Sequence, residues 1–310
     1  MLAVSVIFLV RTARDIGWVS LWARIGSASP SWLGLVVAAV LFRYAVWGLR
    51  WVVLLRPVRP VPWAAAQKAL LASVFFNTVL PAARPFGGLV RSRYLARARG
   101  VPMGPIYGTA FVDQAGYSSM SLLLGALAVG LPAGEGHWAS GRRLLGVAAA
   151  AAGVVSLALL WRRREGVRDW ATRRMPSTAR ALEGTADAAG RVLAWPWSWA
   201  AIVLGGAGMW AGGVLALFCA GRAVGAGFGF GAAAAAWALG SMVGLASGTP
   251  GGAGTTETAA LVQLTALGIP AESALAAIVL SRGIEYTLAI GVGGLCAVPP
   301  RPARPGAVPL

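Results

Sequence analysis

Long uncharged apolar stretches constrain this 310-residue chain more than any other feature. Three of them cover residues 144–161, 195–220 and 223–249, and each reaches the ~18 apolar residues that mark a membrane-spanning helix. Charged residues make up 12% of the chain, about half of the roughly 25% that is usual in soluble domains. The mean hydropathy is +0.70. The chain is therefore predicted to be an all-α integral membrane protein.

The basic residues lie mainly between the apolar stretches, and they account for the net charge of +17. Residues 84–99 contain five arginines and no acid, and residues 162–191 contain eight arginines against four acids. Basic loops remain in the cytoplasm, and two predicted spans, 105–131 and 144–161, separate these two, which places both on one side. We therefore expect a multi-pass protein of the cell membrane with loops 84–99 and 162–191 cytoplasmic. Its charge indicates topology and lipid affinity, with no nucleic-acid partner.

Two apolar segments are too short to cross a bilayer. Residues 69–83 contain Asn77 and Pro81, and residues 258–269 follow the glycine-rich string PGGAGTTE. Proline and glycine free backbone groups that need partners inside a membrane, so broken segments persist where protein or a water-filled cavity surrounds them. We expect a bundle of about seven to eight transmembrane helices in which these two segments are re-entrant or broken.

The two interrupted segments fall in different parts of the chain. Transport folds built on discontinuous helices place their binding site between such parts. The sequence thus predicts a single membrane domain, 1–310, with two weakly marked halves, 1–161 and 195–298, joined by the basic cytoplasmic loop 162–194. The repeat is a hypothesis drawn from the corresponding breaks, because the halves share negligible identity.

Charged side chains inside the predicted spans are candidate functional residues, since each costs roughly 2.5 to 3.5 kcal/mol at the centre of a membrane helix. Arg43 and Arg50 are seven residues apart and share one helical face, whereas Arg282 and Glu285 are three apart and can pair. We expect Arg282 to pair with Glu285 or Glu257. Asp113 is expected to pair with Arg43 or Arg50. Neutralisation of buried charge and ligand binding both stay open as the role of these residues.

The residue pattern predicts no catalytic residue, metal or cofactor. The two cysteines, Cys219 and Cys296, are far apart in sequence, and only one histidine, His137, could join them. This is unlike the clustered ligand spacing of a metal site. A nucleophile, a base and an orienting residue do not occur at a recognisable spacing. The residue pattern therefore gives no support for an enzyme.

Three segments resemble signatures of a known family. Residues 76–100, FNTVLPAARPFGGLVRSRYLARARG, resemble its asparagine, Leu-Pro, glycine and arginine signature, and residues 41–57 resemble its second helix. Residues 250–286 resemble its second signature: a Pro-Gly-Gly-x-Gly turn, a glutamate, Gly-Ile-Pro and a helix with an arginine. The chain is thus similar, over nearly its whole length, to the flippase-like membrane family, which includes the membrane region of lysylphosphatidylglycerol synthases. Because Gln114 follows Asp113 where the family commonly has arginine, the partner of Asp113 is expected elsewhere.

The resemblance implies binding and translocation of a phospholipid or lipid-linked headgroup, with membrane lipids, an anionic phospholipid or a lipid-linked glycan, as partners. The half-helix that begins near Thr255 would point its N–H groups at a phosphate, and Arg91, Arg282 and Arg50 would contact that phosphate. Glu257 would receive a headgroup amine or hold Arg282. The predicted headgroup-binding residues are Asn77, Pro81, Arg91, Pro250, Gly251, Gly252, Gly254, Glu257 and Arg282, with Arg43, Arg50, Asp113 and Glu285 as supporting intramembrane charges.

Two alternatives stay open. The family name implies a lipid-modifying system of the lysylphosphatidylglycerol synthase type, in which a lysyl group is transferred to phosphatidylglycerol. The third reading is a non-catalytic membrane partner of a separate transferase. Purified protein distinguishes them, because translocation without transfer favours the lipid carrier and transfer by the protein alone favours the enzyme.

Overall fold

The computed structural model of the chain describes residues 18–80, 84–130, 183–247 and 249–298, and the regular elements in these ranges are helices. Pro81, the predicted span 144–161 and most of the basic loop 162–191 lie outside the described residues. In chain order the α-helices are α1 (Trp18–Gly26), α2 (Pro30–Leu55), α3 (Trp63–Val79), α4 (Arg84–Arg99), α5 (Met103–Gly130), α6 (Thr185–Ala194), α7 (Pro196–Ala200), α8 (Gly206–Ala223), α9 (Phe230–Ser247), α10 (Thr255–Ala266) and α11 (Ala271–Cys296).

Four helical runs in the described ranges are long and apolar enough to cross a membrane: Pro30–Leu55, Pro196–Ala223, Phe230–Ser247 and Ala271–Cys296. The second run joins α7 to α8 through a π-helical turn, Ala201–Gly205. At about 1.5 Å per residue, a 26-residue helix such as α2 rises about 39 Å, more than the ~30 Å hydrocarbon core. The prediction of an all-α membrane protein is confirmed at this level, and the total of seven to eight spans stays a prediction.

The apolar stretch 223–249 is helical over a shorter range than its composition suggests. Helix α8 ends where Gly225 adopts a φ of 69°, and the N–H of Ala226 donates to the carbonyl of Gly221 at 2.8 Å. Glycine reaches this left-handed conformation without steric cost and commonly ends a helix. Helix α9 therefore begins only at Phe230.

The segment expected to be a basic loop, 84–99, is instead helix α4. Its buried residues, Arg91, Ser92, Leu95 and Ala96, recur at helical spacing, whereas Arg93 and Arg97 are exposed. The segment forms a helix because one face packs into the protein while the other carries the exposed arginines. Helix α4 packs against α3, which begins at Trp63, six residues before the expected start of the short apolar segment.

The chain forms two compact units. The first comprises 1–44, 118–151 and 208–288, and the second comprises 45–117, 152–207 and 289–310. The first unit has a hydrophobic core that includes Leu264 and Ile278, and the second buries Trp51 and Leu70 completely. The predicted division into halves 1–161 and 195–298 has different boundaries and stays a prediction.

Candidate functional site

A break between α9 and α10 lies in the first unit. Helix α9 ends at Ser247, a short 3-10 turn covers Pro250–Gly252, and α10 begins at Thr255. Gly251, Gly252 and Gly254 have φ angles of 56°, 74° and 79°. Side chains disfavour this region of backbone space, so only glycine adopts these angles cheaply. The PGGAG sequence therefore encodes the break locally.

Three hydroxyl groups hold the two sides of the break together. The side-chain oxygen of Thr255 lies 2.9 Å from that of Ser247 and 3.2 Å from that of Thr249, and those two oxygens are 3.0 Å apart. The Thr255 hydroxyl also donates to the carbonyl of Gly252 at 3.1 Å. These contacts satisfy polar groups that the break removes from helical hydrogen bonding. Sequence reasoning missed this cluster, although serine and threonine on both sides of the glycines were its signal.

A network of four charged side chains crosses the first unit beside the break. Arg282 on α11 donates from Nε to Glu257 Oε1 at 2.7 Å and from Nη1 to Glu285 Oε2 at 2.7 Å. Arg43 on α2 donates to the other oxygen of Glu285. Two arginines and two glutamates give a formal net charge of zero. The network therefore balances its own buried charge.

Arg282 also binds the broken turn directly. Its Nη2 donates to the carbonyl oxygen of Gly251 and to the hydroxyl oxygen of Tyr286, each at 2.7 Å. Tyr286 in turn donates to Glu257 Oε1 at 3.2 Å. One guanidinium thus joins α11 to the turn and to the first turn of α10. Tyr286 was not among the predicted residues, although its position four residues after Arg282 places the two on one helical face.

A small cavity lies against this network, with room for about one water molecule, on the order of 10 Å³. Trp237 Nε1, Thr256 Oγ1 and Glu257 Oε2 belong to residues that surround the cavity, and each is buried with no hydrogen-bond partner among the described residues. The surface of the cavity itself is apolar. Polar atoms of this kind are costly to bury unless a ligand or water binds them. The lining comprises Leu217, Ala236, Trp237, Thr256, Glu257, Ala260, Ile278, Ser281 and Arg282.

Close packing of α9 on α10 positions the carboxylate. A Cβ built on Gly240 would lie 3.0 Å from the carbonyl oxygen of Thr256, and one built on Gly244 would meet the Thr256 side chain. Small residues let membrane helices approach in this way. Glu257 follows Thr256 in the first turn of α10, so these glycines fix where its carboxylate lies.

A second charged cluster lies in the second unit. Asp113 on α5 accepts from Arg50 Nε at 2.6 Å and from Arg91 Nη2 at 2.7 Å, and Trp47 Nε1 donates to the same carboxylate at 2.9 Å. The two arginines also bond the carbonyl oxygens of Asp113 at 2.8 Å and Ala110 at 3.0 Å. Asp113 is 0% exposed, Arg91 1% and Arg50 2%. This is an almost fully desolvated cluster of three ionised groups.

Aromatic rings and a glycine shape the surroundings of this cluster. The guanidinium carbon of Arg91 lies 4.6 Å from the ring centroid of Trp51, whose Nε1 donates to Thr109 at 3.0 Å. Gly205, the last residue of the π-helical turn, contacts Arg50, and a Cβ there would lie 2.7 Å from Arg50 Cδ. Ring faces attract the guanidinium, and the missing side chain leaves room for the arginine stem.

The predicted site residues are thus divided between the two units. The first unit contains Arg43, Pro250, Gly251, Gly252, Gly254, Glu257, Arg282 and Glu285, and the second contains Arg50, Asn77, Arg91 and Asp113. Arg43 pairs with Glu285, and Asp113 pairs with Arg50 and Arg91. Pro81 lies outside the described residues.

Asn77 and its neighbour Thr78 lie on α3, away from the broken turn in sequence. The Thr78 hydroxyl donates to the Val74 carbonyl of its own helix at 2.9 Å. Asn77 Oδ1 is buried with no hydrogen-bond partner among the described residues, and the Asn77 side chain leaves no room for a Cβ at Gly87. A headgroup contact by Asn77 stays a prediction.

Comparison with known proteins places the chain in a family. No curated protein matches it. The family model described as "Lysylphosphatidylglycerol synthase TM region" matches residues 1–293, which is nearly the whole chain. The membrane helices and this family match agree with the resemblance of residues 76–100 and 250–286 to the two family signatures. The chain therefore belongs to the lysylphosphatidylglycerol synthase transmembrane-region family.

Proposed function

We propose that the protein binds the headgroup of a phospholipid or lipid-linked molecule at the broken turn and moves it between the leaflets of the cell membrane. The observation that carries the proposal is the Arg282 network, in which one buried arginine joins Glu257, Glu285 and the Gly251 carbonyl beside a small cavity. Ionised side chains inside membrane helices are usually retained for a functional reason. Broken helices in transport folds border the substrate.

The cavity supports a headgroup that offers hydrogen-bond donors. The network beside it has no net charge, and the anionic oxygen Glu257 Oε2, in a residue next to the cavity, is buried without a partner among the described residues. A hydroxyl or an ammonium group would donate to this oxygen. Phosphatidylglycerol and its lysyl derivative, the lipids in the family's name, carry such groups.

Transport requires this site to open. A cavity for one water molecule is far smaller than a lipid headgroup, so α9, α10 and α11 must separate when lipid enters. The Arg282 bonds to Glu257 and Gly251 are the contacts that such a movement would break. Headgroup groups would replace them, which is how a ligand shifts a two-state equilibrium.

The proposal also includes the number of membrane spans and the side of the membrane on which the basic segments lie. We place the short segments 69–83 and 258–269, as re-entrant or broken segments, in a bundle of seven to eight spans, with the exposed arginines of α4 and the loop 162–191 on the cytoplasmic side. The test is accessibility of single cysteines at Arg93, Arg97 and Thr265, in a variant that lacks Cys219 and Cys296, to a membrane-impermeant reagent in oriented vesicles. Labelling of the Arg93→Cys variant from the outer face would refute the assignment.

The transport proposal is tested by leaflet exchange of fluorescent phosphatidylglycerol in proteoliposomes. Glu257→Gln removes the anionic oxygen at the cavity with little change in shape, and Glu272→Gln is its control. Glu272 lies on α11 in the same unit, and its carboxylate pairs with Arg24 at 3.2 Å in a partly exposed position. We expect Glu257→Gln to slow exchange by about tenfold or more and Glu272→Gln to leave it unchanged. Wild-type exchange by folded Glu257→Gln protein would refute the proposal.

A second candidate follows from the family name, which names a synthase. In this reading the protein is the membrane part of a system that modifies lipid, or the partner of a separate transferase. Incubation of the purified protein with lysyl-tRNA and phosphatidylglycerol tests it. Lysylphosphatidylglycerol formed by the protein alone supports the enzyme, and product formed only after a transferase is added supports the partner.

A further inference from the structure

The Arg50–Asp113–Arg91 cluster of the second unit carries an excess positive charge. Two guanidinium groups share one carboxylate, and arginine stays protonated in proteins. All three side chains are at least 98% buried, so solvent cannot screen the excess. The Arg282 network, in contrast, has as many carboxylates as guanidinium groups. A buried cluster with a formal charge of +1 requires an anion more than a cation or a neutral group.

Both arginines also retain hydrogen-bonding capacity. Arg50 Nη1 and Arg91 Nη1 are buried, and neither has a hydrogen-bond partner among the described residues. The ring faces near them, Trp51 at 4.6 Å from Arg91 and Tyr117 at 5.8 Å from Arg50, attract the positive charge without supplying an oxygen acceptor. Both oxygens of Asp113 already accept from other donors, namely Arg50 Nε, Arg91 Nη2 and Trp47 Nε1. An anion bound here would supply acceptors to both Nη1 groups.

We propose that the Arg50–Asp113–Arg91 cluster is an anion site that takes a phosphate group, as a phosphodiester or as free phosphate. A phosphodiester carries one negative charge, which would neutralise the cluster, and its oxygens match the guanidinium fork. Asp113 and Trp47 hold the arginines in place and leave one Nη1 of each for the anion. The inference concerns the second unit alone and needs no lipid movement, so it stands or falls independently of the transport proposal.

Calorimetric titration of the full-length protein in neutral detergent tests the proposal. The probes are inorganic phosphate, dioctanoyl phosphatidylglycerol, and dioctanoyl glycerol, which lacks the phosphate. We expect at least one phosphate probe to bind and dioctanoyl glycerol to bind at least about tenfold more weakly. Binding of phosphate identifies the site as one for the free anion, and binding of phosphatidylglycerol alone identifies it as a headgroup site. Equal binding of the lipid with and without phosphate overturns the proposal.

Variants assign the binding to the cluster. Arg91→Gln should lower the affinity for the phosphate probe by about tenfold or more. The control Arg97→Gln, which removes an exposed arginine of the same helix, should leave this affinity unchanged. Arg91→Lys keeps the charge without the fork and serves if Arg91→Gln does not fold. The Arg91→Lys variant should bind the phosphate probe more weakly than the wild type does. Wild-type affinity for the probe in either Arg91 variant overturns the proposal.

Discussion

Replacing Arg282 with glutamine should destabilise the first unit strongly. The wild-type guanidinium makes four hydrogen bonds of 2.7 Å, to Glu257, Glu285, Gly251 and Tyr286. Glu285 keeps Arg43 as a partner, so one buried carboxylate, Glu257, loses its counter-charge. Removal of one partner from a buried ion pair costs about 3 to 5 kcal/mol. We expect the loss to lie near 3 kcal/mol, because the paired side chains are 10% exposed.

The free energy of unfolding in mixed detergent–SDS micelles measures this loss. Arg24→Gln is the matched control, since Arg24 pairs with Glu272 at 3.2 Å while about one third of each side chain is exposed. An exposed pair contributes about 0 to 1 kcal/mol. The control should therefore lose far less stability than Arg282→Gln.

A second variant identifies the cause. In the double variant Glu257→Gln with Arg282→Gln, the orphaned carboxylate is replaced by an amide, so most of the loss should be recovered. A double-mutant cycle should give a coupling energy of about 2 kcal/mol or more. The reasoning is refuted if Arg282→Gln matches the Arg24→Gln control, or if the second substitution adds to the loss.

Three further substitutions test the break and the second unit. Gly254→Ala should cost about 1 to 2 kcal/mol of unfolding free energy, because Gly254 has a φ of 79°. The control Gly283→Ala, in a helix with open space around this residue, should be neutral or stabilising. Equal effects of the two substitutions would contradict this account. Thr255→Val should cost about 1 to 3 kcal/mol, because it leaves the Gly252 carbonyl without its donor, and a loss below about 0.5 kcal/mol would argue against the hydroxyl cluster. Gly205→Ala should cost about 1 to 3 kcal/mol in the same assay, since its Cβ would press on the Arg50 stem, and wild-type stability would show that the contact is loose.

The class of the protein and the position of its break follow from local sequence. Runs of about 18 to 27 apolar residues can bury their backbone in a membrane only as helices, so the α-helical class needed no tertiary information. The break between α9 and α10 also follows from local sequence. The φ angles of 56° to 79° in PGGAG are accessible to glycine without steric cost, whatever the surrounding fold. The proximity of Arg282 and Glu285 follows from their spacing of three residues on one helix.

The partners of the buried charges, by comparison, are set by the packing of different helices. Arg43 and Arg50 share a face of α2, yet they are two helical turns apart, and Arg43 contacts Glu285 whereas Arg50 contacts Asp113. Nothing in the sequence near Asp113 indicates that Arg91, in a segment expected to be a loop, is its second partner. Arg91 lies beside Asp113 because it is on the buried face of helix α4, whereas Arg93 and Arg97 are on the exposed face.

The sequence by itself determined a helical membrane protein, the glycine turn and the identity of the charged residues, since each depends on the properties of a short stretch of chain. Only the tertiary structure decided that one network is balanced and the other carries an excess positive charge. Charge balance in a low-dielectric interior depends on which side chains meet within about 3 Å, and that distance is set by how distant helices pack.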